Sequence, residues 1–322
     1  MLYENSDAFL AERNKRITLM GMSNVGKTRL ASLLPRSKWF HYSVDYRLAT
    51  HLKDQIVDSL KIEMMKNPYL AQLLKEDAMR VDINVAFSNL SVVSHYLGML
   101  GNPSKGGLHE TVFRARQAQH RKADIAAVGE IPQFITKAQQ VYGYPHFVND
   151  ASGSLCEVVD PEDAADPVLA AVTDNTLLVY IQPDAAHEAR LVEAARLNPK
   201  PLYYRPNFLD ESLNEYIRET RLCDATNIDP CLFAQWVFPR LLAARRPRYE
   251  AIADHGYVVN AREVAGVGGE DDFLRLVGNA IDRKANMLDE RGLFLSVHSE
   301  SRRDSGFESC DIPRPSGAAA GS

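Results

Sequence analysis

The sequence has few cysteines and no long apolar run. Its four cysteines stand at positions 156, 223, 231 and 310, too dispersed for a zinc pattern and too few for a disulfide framework. No run of about 18 apolar residues occurs, and charged residues are spread through residues 1–16, so neither a membrane span nor a secretory signal is expected. A reducing cytoplasm is therefore the expected location.

The sequence also has little net charge, and it shows no internal repeat. The formal net charge is −5 over 322 residues, so nucleic acid and anionic membranes are not expected as partners. A hydrophobic fraction of 45% is enough to build a core. At this length, one elaborated α/β domain and two separate domains are both open.

One short motif stands out near the N-terminus. Residues 21–28, GMSNVGKT, fit the pattern G-x-x-x-x-G-K-[ST] of the P-loop, in which backbone N–H groups wrap phosphates, the lysine reaches the outer phosphates and the threonine binds Mg²⁺. Residues 17–20 are predicted to form a buried strand, and residues 28–34 begin a helix whose dipole faces the anion. The predicted nucleotide-binding residues are Gly21, Met22, Ser23, Asn24, Val25, Gly26, Lys27, Thr28 and Arg29.

Further apolar runs predict the fold class. Strands are expected at residues 17–20, 38–45, 144–150, 176–182 and 256–261, with helical runs between them. This alternation predicts an α/β fold, a three-layer sandwich with a parallel five-stranded sheet. Such sheets bind ligands at the carboxyl ends of their strands, where Gly21, Asp45 and Asp150 are expected to lie. The strand before Asp45 is expected beside the strand that precedes the P-loop.

Asp150 follows a predicted strand and has two interpretations. It is placed like the strand-end acid that holds the Mg²⁺ shell in P-loop enzymes, which would make Thr28 and Asp150 the metal residues. The alternative is a helix cap or turn, because the following "DASG" is also good turn chemistry. The metal role is favoured because a P-loop requires such a partner.

The base of the nucleotide is predicted from a missing motif. "DASG" also matches the D-x-x-G of GTPases. The guanine-specificity motif N-K-x-D, however, is absent from the sequence. ATP is therefore expected in preference to GTP, and a GTPase is disfavoured.

Several shorter motifs follow the P-loop in a recognisable order. They are "FHYSVD" ending in Asp45, "ETVFRARQ" with Glu110, Phe113 and Arg114, a basic segment with Arg196, Lys200 and Pro201, and "RRPRYEAIADHGYVVNA" with Arg248 and Tyr249. In this order the chain resembles the shikimate kinase-like small-molecule kinases of the P-loop NTPase superfamily. The resemblance implies the P-loop kinase fold. It also implies ATP and Mg²⁺ as cofactors and a small molecule as the phosphoryl acceptor.

The chain also departs from that family. The triple glycine after the third strand is replaced by "NDASG", Ser43 and Asp45 stand where two acids are common, and Gln117 stands where an acid follows the substrate-site arginine. Shikimate itself is therefore not expected as the acceptor.

The resemblance implies Lys27, Asp45, Arg114 and Arg196 as catalytic residues. Lys27, expected to be exposed on its loop, would neutralise the outer phosphates, and Asp45 would orient or deprotonate the acceptor hydroxyl. Arg114 would help form a helix face for an anionic acceptor; a solvated basic face is the alternative. Arg196 belongs to a basic lid that would close over the transferring group.

The predicted organisation is an N-terminal extension at residues 1–15, a kinase-like domain at 16–290 and a disordered tail at 291–322. Within the domain, a helical insertion is expected at about 46–143 and the lid at about 190–210. The insertion or the tail is where a protein partner would bind; for the tail, "LFLSV" could add a strand to a sheet edge.

Two function classes stay open from the sequence. The first is an ATP-dependent phosphotransferase that acts on a small hydroxylated acceptor, which can be anionic. The second is an ATPase or nucleotide switch that recognises a protein or a nucleic acid. The lid and the pair Asp45 and Arg114 favour the first, whereas the long segment 46–143 favours the second.

Overall fold

A computed structural model describes residues 1–87, 89–163 and 165–290. In it, five strands form one sheet. They are β1 Arg16–Met20, β2 Trp39–Ser43, β3 His146–Asp150, β4 Leu177–Gln182 and β5 Tyr257–Asn260. Each overlaps a segment expected to be a strand, so the predicted α/β class with a five-stranded sheet is confirmed.

The strand order places the glycine-rich motif at the middle of the sheet. The order is β2-β3-β1-β4-β5, and every neighbouring pair is parallel. This order differs from the Rossmann and flavodoxin-like orders. The expectation that β2 lies beside β1 is wrong, because the chain returns from β2 and inserts β3 between them. Ser43 therefore pairs with Asp150 at the carboxyl edge.

Helices make up much of the remaining described chain. In order they are α1 Ser6–Ala11, α2 Lys27–Leu33, α3 Val44–His51, α4 Lys53–Met64, α5 Pro68–Lys75, α6 Ser91–Leu97, α7 Glu110–Gly129, α8 Ile131–Gln140, α9 Leu155–Val158, α10 Pro167–Thr173, α11 Ala185–Leu197, α12 Pro206–Thr220, α13 Pro230–Ala253, α14 Ala261–Ala265 and α15 Glu270–Glu290. Among the described residues, no helix combines the length and the apolar character needed to cross a bilayer.

Side-chain caps start three helices at the carboxyl edge of the sheet. Ser43 accepts a hydrogen bond from the backbone N–H of Tyr46 at the start of α3, and Asp184 caps α11. Asn260 and Glu263 form a capping box at the start of α14. Such caps satisfy N–H groups that a helix leaves without partners. Because Ser43 and Asn260 are the last residues of β2 and β5, and Asp184 follows β4 by two residues, all three helices begin at the edge where Gly21 lies.

The sheet is buried on both faces, as parallel sheets usually are. Ile17, Leu19, Val148, Val179 and Ile181 are all fully buried in the main core. A second apolar cluster lies between α7, α12 and α13. Its largest members are Phe113, Tyr204, Leu209, Leu213, Tyr216 and Phe233.

The segments outside the sheet also pack. Within residues 46–143, α3 packs against α7 and α8 contacts β2 and β3, so part of the predicted insertion covers the sheet. Residues 1–15 include α1, which packs against α15 and buries Phe9. The predicted tail at 291–322 lies outside the described residues.

Candidate functional site

The glycine loop (residues 21–28) joins β1 to α2 in a conformation that needs glycine. Gly21, Asn24 and Gly26 have positive φ angles of 150°, 64° and 105°. A Cβ atom on Gly21 would lie 2.8 Å from the carbonyl oxygen of Ile181, so no side chain fits there. Left-handed residues in such loops turn neighbouring N–H groups toward one side, which favours an anion.

Lys27 is the first residue of α2 and closes the glycine loop. Its Nζ donates hydrogen bonds to the carbonyl oxygens of Gly21, at 2.8 Å, and Met22, at 2.9 Å. The expectation that this lysine is exposed is wrong, because only 7% of its surface is accessible. Burial lowers the pKa of Lys27, and the charges of Asp150 and Asp45 oppose that effect. The ammonium group therefore lies among the loop carbonyls and close to two carboxyl groups.

Thr28 and Asp150 are brought together, as the metal hypothesis requires. The hydroxyl of Thr28 donates a hydrogen bond of 2.6 Å to Oδ2 of Asp150. Burial raises the pKa of Asp150, while Lys27 and Thr28 lower it. A short hydroxyl–carboxylate pair at the end of the glycine loop is a donor set that suits a hard cation.

This donor set can be tested for its fit to Mg²⁺. Mg²⁺ usually keeps several waters and takes one or two protein oxygens together with phosphate oxygens. In the described part of the chain, no group of three or more His, Cys, Asp or Glu side chains is arranged to hold a metal. Thr28 and Asp150 therefore fit a magnesium ion that arrives with a nucleotide, rather than an all-protein cage.

The loop after β3 lies directly against the glycine loop. A Cβ atom on Gly153 would be 2.5 Å from Oγ of Ser23, so a larger residue would require the serine side chain to rotate away. The carbonyl oxygen of Gly153 accepts hydrogen bonds from Tyr249, at 2.8 Å, and Arg245, at 3.2 Å. The Tyr249 hydroxyl also lies 3.3 Å from the carbonyl oxygen of Gly21. Helix α13 thus ties both loops together.

Asp124 on α7 is a fully buried carboxyl group behind the loop after β3. Ser154 donates a 2.7 Å hydrogen bond to it, and Ser152 donates at 3.1 and 3.2 Å to its two oxygens. Burial raises the pKa of Asp124 to about 6, although both serines oppose the shift. The Asp124 side chain therefore holds the loop after β3 in place through its hydrogen bonds with Ser152 and Ser154.

The Asp124 carboxyl group should make stability depend on pH. Its pKa is raised to about 6 from an ordinary value near 3.9, so the folded chain holds an extra proton between about pH 4 and 6. The stability that this proton contributes is present at low pH and is lost as pH rises through about 6, by about 3 kcal/mol at most. Asp124→Asn should lack this loss, about half of which falls above pH 5, so its melting temperature relative to wild type should rise by about 2 °C from pH 5 to pH 8.

The control for this measurement is Asp271→Asn on the exposed first turn of α15. The amide group at position 124 can also destabilise the fold by an amount that does not depend on pH. That amount cancels when the melting temperatures at pH 5 and pH 8 are compared. A difference in melting temperature that does not change with pH would contradict the assignment.

A cavity of about 180 Å³ opens in front of the glycine loop. Ser23 of the glycine loop and Asp45, in the first turn of α3, both line it. The Asp45 side chain is open to the cavity, yet protein atoms surround the recess. This desolvation, followed by the charge of Asp124, raises the pKa of Asp45 to about 7, while Lys27 lowers it.

Arg114 and Arg196 lie elsewhere than the other predicted catalytic residues. Arg114 forms 2.7 Å ion pairs with Glu110 and Asp210, and it lines a separate cavity between α7 and α12. Arg196 is exposed and pairs with Glu193. Neither residue lines the cavity in front of the glycine loop. The structure therefore brings together Lys27 and Asp45 but not the two arginines, whose catalytic roles stay predictions.

Other basic residues near the loop are held by backbone contacts or neighbouring acids. Arg29 donates to the carbonyl oxygens of Val264 and Val267, both at 2.8 Å, and so ties α2 to the segment after β5. In the lid region, Arg205 lies 2.7 Å from Glu157. The start of α11 reaches the glycine loop, because the ring of His187 contacts the backbone of Ser23.

Sequence reasoning did not single out Asp124 or Arg245. One available signal was the spacing of Gln117, His120 and Asp124, which places three polar residues on one face of α7. All three are buried. Arg245 gave no such signal, because it stands in a run of basic residues and its partners, Glu157 among them, are distant in sequence.

Comparison with protein-family models, curated proteins and solved structures finds no match to this chain.

Proposed function

We propose that this protein is an ATP-dependent phosphotransferase of the P-loop kinase type that acts on a small hydroxylated acceptor. The observation that carries the proposal is that Ser23 of the glycine loop and Asp45 line the same cavity. A phosphoryl donor on the loop would face that cavity. Catalysis of phosphoryl transfer depends chiefly on such positioning and on charge neutralisation. The P-loop motif and the order of the kinase-like motifs support the same assignment.

The glycine loop and Lys27 would hold the ATP phosphates. On binding, the Lys27 ammonium would exchange the carbonyl oxygens of Gly21 and Met22 for the β- and γ-phosphate oxygens. Thr28 and Asp150 would hold Mg²⁺, which when bound neutralises negative charge on those phosphates. The absence of the N-K-x-D motif supports adenine rather than guanine as the base.

Asp45 would act on the acceptor. Its carboxylate would accept the proton of the acceptor hydroxyl while the hydroxyl oxygen forms a bond to the γ-phosphorus. The bond between that phosphorus and the β,γ-bridging oxygen breaks, and ADP leaves with the bonding electron pair. The products are the phosphorylated acceptor and ADP, with the proton passing from Asp45 to solvent.

Transfer of label from ATP tests this function directly. The purified protein is incubated with γ-labelled ATP, Mg²⁺ and a cell metabolite extract, and the products are separated by thin-layer chromatography. We expect the label in a new small molecule, and no such product with Lys27→Met. Label found only as free phosphate would contradict a phosphotransferase, and transfer from GTP in preference to ATP would favour a GTP-using protein.

The second candidate is an ATPase or nucleotide switch that binds a protein. It is supported by apolar side chains exposed along α4, α5 and their connection: Leu60, Ile62, Met65 and Tyr69. Exposed apolar groups that lie near one another are common at protein interfaces. In the labelling experiment, this candidate predicts free phosphate as the sole product, at a rate that rises when a protein fraction is added.

A further inference from the structure

A second cavity lies between α7 and the segment that leads into α12. Its volume of about 380 Å³ falls within the range of about 300–1,000 Å³ that is usual for small-molecule sites. One wall consists of α7 residues between positions 114 and 125, and the other of residues between positions 203 and 209. Among the described residues, neither the glycine loop nor Asp45 contributes to this lining. This α7–α12 cavity is therefore separate from the site of the proposed transfer.

The α7 wall is one face of its helix, and a glutamine joins it to the opposite wall. Residues that follow at intervals of three or four, as these do from position 114 to position 125, lie on the same side of a helix. The Gln117 side chain donates to the carbonyl oxygen of Leu202 at 3.1 Å and accepts from the N–H of Tyr204 at 2.9 Å. Because Gln117 is buried, water does not compete for these two bonds, and they hold the walls together.

Apolar groups form much of the surface of the α7–α12 cavity. Ile125 belongs to the α7 wall and Leu209 to the opposite wall, and Tyr203 and Tyr204 also line the cavity. Burial of hydrocarbon or aromatic surface against such a lining is favourable. The cavity therefore suits a ligand that has an apolar body.

Two basic residues of the lining have no acidic partner. Within the part of the chain that the structure describes, Arg121 and Lys122 form no ion pair. The Arg121 guanidinium donates to the backbone carbonyl oxygen of Glu157 at 3.1 Å, and a guanidinium carries several further N–H donors. Lys122 is exposed, so its ammonium group is accessible. Both residues can therefore donate to an anion.

Neighbouring acids offset only part of this positive charge. Glu157, whose backbone Arg121 contacts, pairs through its carboxylate with both Arg205 and Arg245 at 2.7 Å. One carboxylate shared by two guanidinium groups leaves an excess positive charge. Burial raises the pKa of Asp124, and the charge of Arg121 is among the effects that lower it, so an ionised Asp124 balances one cation. The cations at the Arg121 end of the cavity therefore outnumber the acids.

The other end of the α7–α12 cavity differs in charge. Arg114 precedes Arg121 by two turns of α7, about 10 Å along the helix axis. Ion pairs of 2.7 Å join Arg114 to both Glu110 and Asp210, so this group has an excess of negative charge. An anion is therefore expected at Arg121 rather than at Arg114.

We propose that the α7–α12 cavity binds a small organic anion. Its charged group, a carboxylate or a phosphate, lies at Arg121 and Lys122, where charge-assisted hydrogen bonds hold it. Its apolar body lies against the apolar lining that includes Ile125 and Leu209. The inference does not depend on the proposed phosphotransferase function, because this ligand does not occupy the cavity in front of the glycine loop.

Calorimetric titration of the full chain without nucleotide tests the chemistry of the ligand. The probes are naphthalene-2-carboxylate and 2-naphthyl phosphate, with uncharged naphthalene-2-carboxamide and acetate as controls. We expect one or both aromatic anions to bind more tightly than either control by about tenfold or more, because only they combine charge with an apolar body. Equal affinity for the carboxamide or for acetate would overturn the ligand class. No binding of either aromatic anion at millimolar concentration would overturn the site.

A cavity-filling substitution tests the location of the anion. Ala118 lines the cavity and is exposed, so Ala118→Phe takes up space there without disturbing the core. It should weaken binding of the aromatic anion by about tenfold or more, because the new ring and the ligand cannot occupy the same volume. The matched control is Ala115→Phe, at an exposed position of the same helix, which should bind normally. Melting temperatures verify the fold, and wild-type affinity in Ala118→Phe would overturn the location.

A second variant tests the charged contact. Arg121→Gln should weaken binding of the aromatic anion by about tenfold or more, since hydrogen bonds to charged groups contribute that much, and should leave the weak binding of the carboxamide unchanged. Arg218→Gln, at an exposed position on α12, is the matched control. If Arg121→Gln and Arg218→Gln bind the aromatic anion equally well, the assignment of Arg121 is wrong.

Discussion

Lys27→Met should reduce ATP turnover by a factor of about a hundred to a thousand, while the protein stays folded. In the proposed function the Lys27 ammonium group would contact the outer phosphates, and a preorganised donor of this kind typically contributes a factor of that size to the transition state. Methionine keeps the length of the side chain and removes its charge. The measurement is the steady-state rate of ADP formation, with circular dichroism to follow the fold.

The burial of Lys27 requires a matched control. Its Nζ satisfies the carbonyl oxygens of Gly21 and Met22, so the substitution also removes two hydrogen bonds, each worth about 1 kcal/mol. Lys15 is equally buried, at 6% exposure, and its Nζ donates to the carbonyl oxygens of Leu10 and Glu12 at 3.0 and 2.6 Å. Lys15→Met should therefore lose similar stability and keep its turnover. Equal turnover in the two variants would reject the phosphate role of Lys27.

Asp45→Asn should slow phosphoryl transfer at least a hundredfold and leave ATP affinity nearly unchanged. The substitution keeps the size of the side chain but removes the base, and general-base assistance is typically worth a factor of a hundred or more. Asp54→Asn, in the exposed first turn of α4, is the matched control. Single-turnover transfer and titration with a fluorescent ATP analogue separate the two effects.

The pH dependence of transfer provides a second readout for Asp45. Its pKa is raised to about 7, and only the ionised carboxylate can accept a proton. The wild-type rate should therefore rise about tenfold per pH unit below pH 7 and level off above it. This rise of the transfer rate with pH should be absent in Asp45→Asn. If the variant instead binds Mg·ATP weakly and shows no separate transfer defect, Asp45 belongs to the water shell of the metal and the nucleotide-switch alternative gains support.

The sequence was sufficient to place the strands and the glycine loop because both depend on local chemistry. Short apolar segments bounded by polar residues marked all five strands. Gly21 and Gly26 were recognisable because their spacing is fixed by the backbone angles that they must adopt. Thr28 and Asp150 were named together from the sequence because a P-loop requires a strand-end acid as the partner of its threonine in the Mg²⁺ shell.

The sequence was less informative about side chains whose partners are distant in the chain. Arg114 lies in a motif that resembles the substrate-site motif of the small-molecule kinases, but the acids Glu110 and Asp210 hold it beside a different cavity. Its local sequence does not reveal Asp210, because α12 reaches α7 only in the folded chain. The burial of Lys27 was missed for the same reason, since the elements that cover the loop come from later in the sequence.

The sequence by itself determined the α/β class, the five strands and the loop that ends β1, because hydrophobic pattern and glycine geometry act over a few residues. The tertiary structure alone decided that β3 separates β1 from β2, and that Asp45 and Ser23 nevertheless line the same cavity. It also decided the ion pairs beside that cavity, because Glu157 contacts both Arg205 and Arg245, which lie far from it in sequence. Strand order and ion pairing depend on contacts between residues that are distant in sequence, so they cannot be predicted from a short local segment.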